Sequence, residues 1–316
     1  MDTHSKIYVA GHRGLVGSAI VRELKSEGYQ NIITATHDEL DLTNQAVTYA
    51  WFEEHRPEYV FLAAAKVGGI GANSSLPADF IYDNLAIALN VIDASYRSGV
   101  TKLCNLGSSC IYPRDTEQPM KEEALLTGAL EPTNEPYAIA KITAIKLCQS
   151  YNTQYGTNFI SLMPTNLYGP GDNYDLETSH VLAAFIAKFH NAKQKGDSAV
   201  TLWGDGSSLR EFLYIDDLAK ATVFMMEDYN ASDLYPWINV GSGQEVAIGR
   251  LANMVREVVF ADSEDSIPEI RWDTSKPNGT PRKLLDTARI NGLGWGATTT
   301  LKEGIEQTYA SFIQDC

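Results

Sequence analysis

Tyr137 and Lys141 are the residues whose types and spacing most clearly suggest chemistry, because they stand four positions apart. Pro136 precedes the tyrosine, and proline is favoured in the first turn of a helix. Residues four apart lie on one helix face, so the ammonium group would favour ionisation of the phenol, whose ordinary pKa is ~10. The pair therefore predicts a tyrosine with a lowered pKa that exchanges a proton with a bound molecule. An ordinary amphipathic helix can show the same spacing.

A glycine-rich turn near the N-terminus is a second candidate for chemistry. Gly11, Gly14 and Gly17 follow an apolar segment, 6–10, and open an apolar-periodic segment that runs through Lys25. Such a turn between a strand and a helix lets a pyrophosphate approach the backbone and the positive end of the helix. The turn predicts nucleotide binding, although a turn that only packs a helix on a sheet can look the same.

The end of the second predicted strand, 31–36, should indicate which nicotinamide cofactor is bound. An acidic residue there favours a free ribose 2′-hydroxyl, whereas a cation favours a 2′-phosphate. His37 stands at this point and Asp38 follows it, while Arg13 in the glycine turn could reach a phosphate. These residues favour NADP(H), with Asp38 as the contrary indication, and leave Arg13 to carry the discrimination.

The segments around these residues alternate between predicted strands and helices. In chain order they are 44–55 (helix), 59–65 (strand), 68–71 (loop), 79–98 (helix), 102–106 (strand), a helix from Pro136, and 158–163 (strand). This alternation predicts an α/β fold with a Rossmann-type doubly wound parallel sheet. Ligands of such sheets bind at the carboxyl ends of the strands, which is where Ser108 and Cys110 fall.

The alternation is less regular beyond about residue 170. Residues 1–170, with 211–243 returning to them, are expected to form the dinucleotide-binding domain. Residues 171–210 and 244–316 are expected to form a smaller C-terminal α/β lobe that binds the substrate. Ser179 is a candidate N-cap for the first helix of this part. Further elements are expected, in order, as a helix ending near 195, 200–203 (strand), 210–217 (opening of a helix), 237–241 (strand), 248–259 (helix), 269–272 (strand) and 276–283 (basic loop).

Composition limits the kinds of partner. The 316 residues are 44% apolar and 21% charged, as in ordinary globular proteins. A formal net charge of −15 without a basic stripe argues against nucleic acid, and neither a signal-peptide core nor a membrane-spanning apolar segment is visible. Cys104, Cys110, Cys148 and Cys316 lack CxxC spacing, which favours free thiols in a reducing cytoplasm and no metal site.

Taken together, these motifs resemble the extended short-chain dehydrogenase/reductase family. The blocks that carry the closest resemblance are 63–70, 106–113, 130–141, 163–170 and 276–285. They resemble the branch of the family that acts on a GDP-linked 4-keto-6-deoxy sugar. The resemblance implies epimerisation at C3″ and C5″, reduction at C4″ by NADPH, and a homodimer formed through the helices that correspond to 79–98 and 136–151.

The resemblance also implies a role for each catalytic residue. Tyr137 would donate a proton in the reduction, Ser108 would be a second donor to the carbonyl oxygen, and Lys141 would tune the phenol and bind the nicotinamide ribose. Cys110 would be the base and His180 the acid of the epimerisation, with roles that could swap between the two carbons. A modest lowering of the thiol pKa from ~8.5 is expected, as is a lowered pKa for His180 at a helix N-terminus.

The binding residues implied by the resemblance fall into two sets. The NADP(H) contacts would be Gly11, His12, Arg13, Gly14, Leu15, Val16, Gly17, His37, Asp41, Leu106, Gly107, Lys141, Pro164, Asn166, Leu167 and His180. The GDP-sugar contacts would be Lys188, Trp203, Arg210, Asn278, Arg282 and Lys283. Among these, Arg210 could bind pyrophosphate oxygens with two parallel hydrogen bonds.

Two other functions remain open from the residues alone. A UDP- or dTDP-sugar 4-epimerase or 4,6-dehydratase that recycles bound NAD would share the Tyr137 helix, but Cys110 and His180 would have no role in it. A non-catalytic NADP-binding sensor on the same fold would usually have lost the tyrosine or the lysine, and both are present here.

Overall fold

The computed structural model describes residues 1–233, 235–261, 267–276 and 278–315. The strands are β1 Ile7–Ala10, β2 Ile32–Ile33, β3 Tyr59–Leu62, β4 Lys102–Leu106, β5 Phe159–Pro164, β6 Asn166–Tyr168, β7 Ala199–Trp203, β8 Leu209–Tyr214, β9 Ile238–Val240, β10 Glu245–Ala247, β11 Glu269–Asp273 and β12 Arg282–Lys283. The helices are α1 Leu15–Ser26, α2 Gln45–His55, α3 Ile70–Ser75, α4 Pro77–Ser98, α5 Glu135–Tyr155, α6 Val181–Lys195, α7 Ile215–Asp228, α8 Ile248–Val259, α9 Ala288–Gly292 and α10 Leu301–Asp315.

A six-stranded parallel sheet forms the centre of the larger part, in the order β2-β1-β3-β4-β5-β9. Successive residues of a strand face opposite sides. Accordingly, Ile7 and Val9 pack with α1 and α7 on one face, while Tyr8 packs with α2, α4 and α5 on the other. Both faces are covered, which explains why these strands are mostly apolar. The predicted Rossmann-type doubly wound sheet is confirmed.

The rest of the chain builds two smaller sheets and a second apolar core. Strands β10, β8 and β12 lie side by side, β6 also pairs with β8, and β11 pairs with β7. Helices α6, α8 and α10 supply Phe185, Phe189, Leu251 and Ile305 to the core beneath them. The boundaries predicted for the two domains stay a prediction.

Three local predictions are wrong. Residues 210–217 do not open a helix, because Leu209–Tyr214 is strand β8 and α7 begins only at Ile215. The apolar run of this segment is buried from residue 212 onward, so it is a strand of the second core. Residues 68–71 are not only a loop, since α3 begins at Ile70. The N-cap of α6 is His180 and not Ser179.

The described residues bear on the predictions about membranes and thiols. None of the described helices is long and apolar enough to cross a bilayer. Cys104, Cys110 and Cys148 are buried free thiols, as expected, and Cys316 lies outside the described residues. The described chain also contains no cluster of three or more side chains suited to binding a metal ion.

Candidate active site

The carboxyl end of β4 leads directly into the residues predicted to act on a carbonyl group. Ser108 is the N-cap of a single 3-10 turn, Ser109–Ile111, which carries Cys110. The Ser108 hydroxyl oxygen accepts the backbone N–H of Cys110 at 3.4 Å. The hydroxyl and the thiol therefore share one loop at the edge where a parallel sheet binds its ligands.

Tyr137 and Lys141 lie on one face of α5, as their spacing predicted. The helix begins at Glu135 with proline in its first turn. The Lys141 Nζ donates a hydrogen bond to the carbonyl of Leu106 at 2.8 Å, which ties the helix to the end of β4. The same Nζ lies 5.7 Å from the centre of the Tyr137 ring. Hydroxyl, phenol and ammonium groups are thus brought to one place.

The expected pKa of the phenol is wrong in direction. Burial raises the pKa of Tyr137, and the side chain of Cys110 adds to the increase. Burial disfavours the charged form of Lys141 too, and lowers its pKa to about 8. At neutral pH the phenol is therefore protonated and the ammonium is still charged. A protonated phenol is the form that a proton donor requires.

The expected direction of the Cys110 pKa is wrong as well, because the pKa is raised and not lowered. Its side chain is only 7% exposed, and burial raises its pKa, although Lys283, the Ser108 hydroxyl and Lys141 act in the opposite direction. A nearby cation stabilises a thiolate. The site therefore contains a mostly protonated thiol surrounded by groups that favour its ionised form.

His180 reaches the same site from the other part of the molecule. The residue is exposed to solvent, although much protein lies around its ring. Burial lowers the pKa of His180, and Lys283 lowers it further. The predicted direction is right, but burial and the Lys283 charge cause it. Because Lys283 acts on both His180 and Cys110, these three side chains belong to one site.

The loop before His180 is held by a glycine on the opposite side of the cleft. The N–H of Gly69 donates to the carbonyl of Thr178 at 2.9 Å. A Cβ at position 69 would lie 2.9 Å from the carbonyl oxygen of Ser179, which is too close for any real side chain. The backbone of residue 69 can therefore pack directly against the two residues that precede His180.

Cationic and aromatic side chains line the rest of the cleft. Lys283 stands opposite Arg210 in the pairing of β12 with β8, and burial lowers the pKa of both. Trp203 is 53% exposed, with the Lys188 Nζ 6.0 Å and the Lys276 Nζ 5.3 Å from its ring centre. This arrangement suits a flat base beside a pyrophosphate group.

The remaining predicted substrate contacts are bonded within the protein. The Asn278 side-chain oxygen accepts the N–H of Asp205 at 2.9 Å, which joins the basic loop to the end of β7. Arg282 forms an ion pair with Glu245 at 2.7 Å. It nevertheless lines the same pocket as Cys110 and Lys283.

Sequence reasoning missed several side chains of this site. Glu131 and Asn134 line the pocket that contains Cys110, and Lys276 covers Trp203. Glu131 and Asn134 stand inside the block 130–141 that carried the resemblance. Membership of that block was the one signal that could have found them, because neither residue has a local spacing that suggests a function.

The glycine turn has a backbone shape that only glycines permit. Gly11 has φ +82°, and a Cβ there would lie 2.7 Å from the backbone nitrogen of Ala64. A Cβ on Gly17 would overlap the carbonyl of Gly11, whereas one on Gly14 would meet no atom closer than 3.5 Å. Gly14 is the N-cap of α1, and no side chain caps the helix. The first N–H groups of α1 therefore face an open cradle that suits a pyrophosphate, and the turn fits.

The other predicted cofactor contacts lie on several different elements of the fold. Arg13 and His37 are exposed. Glu39 accepts the N–H of Thr36 at 2.7 Å, and both hydrogen bonds from Thr36 lower its pKa, with Arg13 adding to the effect. The remaining predicted contacts are His12, Leu15 and Val16 in the turn or first helix, Asp41 after β2, Leu106 and Gly107 at the end of β4, and Pro164, Asn166 and Leu167 at the end of β5 and in β6.

Fold and site together define a nucleotide-dependent enzyme of the short-chain dehydrogenase/reductase type. The chain belongs to the NAD dependent epimerase/dehydratase family, whose model matches residues 7–241. The resemblance stated from the sequence is therefore confirmed.

Three individual relatives show the similarity in more detail. GDP-L-fucose synthase 1 of Arabidopsis thaliana is 54% identical over 314 residues, which cover 99% of this chain and 95% of that protein. A GDP-6-OMe-4-keto-L-xylo-heptose reductase from C. jejuni has a TM-score of 0.94 at 37% identity and covers 100% of this chain and 99% of its own. A GDP-L-fucose synthetase from Naegleria fowleri bound to NADP has a TM-score of 0.89 at 28% identity and covers 100% and 96%.

Proposed function

We propose that the chain converts GDP-4-keto-6-deoxy-D-mannose to GDP-L-fucose by epimerisation at C3″ and C5″ and NADPH-dependent reduction at C4″. One observation carries the proposal. The Ser108, Tyr137 and Lys141 set of a carbonyl reductase shares a cleft with a second acid and base pair, Cys110 and His180. A relative that is 54% identical over nearly its whole length is a GDP-L-fucose synthase.

The glycine turn and the ends of β4 and β5 hold NADP(H). Gly11 and Gly17 let α1 approach the pyrophosphate, Arg13 meets the 2′-phosphate, and Lys141 binds the nicotinamide ribose. NADPH, when bound, supplies the hydride that reaches C4″. A ratio of kcat/KM for NADPH over NADH near one would contradict the role of Arg13.

Reduction depends on the hydrogen bonds and the proton that the protein donates to the C4″ oxygen. Ser108 and Tyr137 donate hydrogen bonds to it, and these bonds strengthen as negative charge develops on the oxygen. Tyr137 then gives up its proton, which burial keeps on the phenol at neutral pH. Lys141 stabilises the resulting phenolate from one turn away.

The same oxygen contacts serve the epimerisation. A ketone held by two donors makes the hydrogens on C3″ and C5″ more acidic, because the enolate is stabilised. Cys110 removes a proton from one face of the sugar, and His180 returns one from the other. Lys283 lies close to both and favours the thiolate.

The nucleotide is held by local cations against an unfavourable overall charge. The chain carries a formal net charge of −15, so the mean field repels a GDP-sugar. Lys188, Arg210 and Lys283 face the pyrophosphate region, and Trp203 stacks on the guanine, with Asn278 and Arg282 completing the wall.

We further propose a homodimer in a reducing cytoplasm. Tyr82, Leu89 and Tyr96 stand seven residues apart on α4 and are exposed, as are Ile139 and Tyr155 on α5. An apolar stripe across two adjacent helices favours a second copy of the chain as its cover. Light scattering should then give twice the chain mass of 34.8 kDa.

The free thiols Cys104, Cys110 and Cys148 support the reducing cytoplasm as the compartment.

A single assay tests the activity. The protein is incubated with GDP-4-keto-6-deoxymannose and NADPH, oxidation of NADPH is followed by absorbance, and the product sugar is identified. Stoichiometric NADPH oxidation with formation of GDP-L-fucose is expected. A 4-epimerase that recycles its cofactor would give no net absorbance change, and a reductase without epimerase activity would give a sugar with unchanged C3″ and C5″ configuration.

A further inference from the structure

Glu211 is a buried carboxylate that the mechanism above does not use. It lies in β8, next to Arg210, and is 0% exposed. One carboxylate oxygen accepts the N–H of Gly243 at 2.7 Å, and the other accepts the N–H of Leu285 at 3.0 Å. A buried charge is retained only where such hydrogen bonds compensate its desolvation. Glu211 thus joins two chain segments that are distant in sequence.

The backbone around Glu211 is shaped to admit its carboxylate. A Cβ at Gly241 would overlap the carboxylate oxygens, so position 241 has room for Glu211 only without a side chain. The backbone carbonyl of Glu211 accepts a hydrogen bond from the Asn166 side chain at 2.7 Å. The residue therefore contacts the cofactor side of the cleft as well as the loop after β9.

One of the two anchored segments carries a residue of the active site. Leu285 follows β12, and β12 pairs with β8 so that Lys283 stands opposite Arg210. β12 has only two residues, so few ladder hydrogen bonds hold it. The bond from Leu285 to Glu211 fixes the chain two residues after Lys283.

The charges around Lys283 indicate why its position matters. Burial lowers the pKa of Lys283 and Arg210 lowers it further, whereas Cys110, Glu211 and Glu131 raise it. Lys283 in turn acts on His180, and it is the largest of the influences that lower the pKa of Cys110. Loss of the Glu211 charge would therefore weaken the cation that supports the thiolate.

We propose that Glu211 is a positioning residue for the epimerisation, which anchors β12 so that the ammonium group of Lys283 stays beside Cys110. The proposal rests on the proposed function only through the role of Cys110 as a base. The ionisation of the Cys110 thiol then depends on Glu211, a carboxylate that does not touch it.

The test measures that ionisation without any substrate. Glu211→Gln keeps the shape of the side chain but removes the charge and turns one acceptor oxygen into a donor that faces an N–H. The rate of Cys110 alkylation by iodoacetamide is measured from pH 6 to 10 by mass spectrometry of the Cys110 peptide. We expect the rate at pH 8 to fall about threefold or more, since half a pKa unit changes the thiolate fraction by about that factor. The midpoint should move to higher pH.

Glu122→Gln is the matched control. Glu122 is 2% exposed and accepts the N–H of Asn239 at 3.1 Å, so it is an equally buried carboxylate bonded to a strand. Glu122→Gln should lower the melting temperature without moving the pH profile of Cys110 alkylation. If Glu211→Gln lowers the melting temperature but leaves the Cys110 profile unchanged, Glu211 is merely structural and the proposal is wrong.

A second variant covers the case in which Glu211→Gln does not fold. Gly241→Ala keeps the charge of Glu211 but pushes a methyl group against its carboxylate, and should shift the profile in the same direction. An unchanged profile in a folded Gly241→Ala protein would also overturn the proposal. Because the readout needs no GDP-sugar, it remains valid even if the wild-type chain fails to form GDP-L-fucose.

Discussion

The two halves of the proposed reaction are held by parts of the molecule that are built differently. Ser108, Tyr137 and Lys141 lie on the central sheet and on a helix bonded to it at 2.8 Å. His180 stands at the start of α6, after a loop held by Gly69, and Lys283 stands on a strand of two residues. Reduction is thus preorganised by the fold, whereas epimerisation depends on two parts meeting across a cleft. Substitutions should separate the two activities.

Tyr137→Phe should have the largest effect and should fall mainly on reduction. Without its proton donor the C4″ oxygen must acquire a proton from water, so the rate of NADPH oxidation should fall about a thousandfold. Exchange of the C3″ and C5″ hydrogens with deuterium, followed by NMR, should fall much less because Ser108 still holds the carbonyl. Equal losses in both assays would show that the two halves are not separable.

Cys110→Ser should have the opposite selectivity. A hydroxyl is a far weaker acid than a thiol, so deuterium exchange should fall about a hundredfold. The dissociation constant for NADPH, measured by fluorescence, should stay within about twofold of the wild-type value. Cys148→Ser is the control, since Cys148 is also buried but packs in the core that α5 forms with α2 and α4. Full turnover by Cys110→Ser would contradict the assignment of this residue as the base.

Gly69→Ala should have a smaller effect that probes the link across the cleft. The added methyl group would lie 2.9 Å from the Ser179 carbonyl, so the loop before His180 must shift. We expect exchange to fall about tenfold, which is less than the roughly hundredfold loss that a displacement of about an ångström can cause. NADPH binding should be unaffected. Gly128→Ala is the control, because its added methyl group would meet only Pro113, at 3.2 Å, and not the loop before His180. An equal loss of exchange in Gly128→Ala would show that the effect is not specific to position 69.

Most of the reductive half could be predicted from the sequence, because it depends on local spacing. The face shared by Tyr137 and Lys141 follows from four residues of helix, and the glycine turn follows from three glycines spaced three apart, of which Gly17 is already in α1. Ser108 could be placed because parallel strands bring their carboxyl ends to one edge. Each of these inferences needs only the geometry of one element and its neighbour.

The epimerase half could be predicted only by resemblance, because its geometry depends on long-range contacts. The bond from Leu285 to Glu211 spans 74 residues, and the contact of Gly69 with Thr178 joins segments that are even further apart. No local pattern encodes either contact. The expected pKa directions of Tyr137 and Cys110 were wrong for the same reason, since burial in the folded chain raises the pKa of both groups.

The smallest expected effect is that of pH on the epimerisation, and it follows from the two pKa shifts. The pKa of His180 is lowered from 6.5 and the pKa of Cys110 is raised from 9.0. The active form pairs a thiolate with an imidazolium ion, which is a minor form when the acid has the lower pKa. As pH rises between the two values, the thiolate fraction increases tenfold per unit while the imidazolium fraction decreases tenfold per unit. The two changes cancel.

Deuterium exchange at C3″ and C5″ should therefore be nearly flat over the window from 6.5 to 9.0, with changes of about twofold or less. Below the His180 pKa the thiolate fraction falls while the histidine is already fully protonated, and above the Cys110 pKa the imidazolium fraction falls while the thiol is already ionised. Reduction, measured separately, need not share this plateau, because Lys141 has a pKa of about 8 and loses the charge that stabilises the phenolate inside this window. A narrow bell with a maximum near pH ~7.5 would mean that the acid has the higher pKa, and that burial does not govern these two groups in the working enzyme.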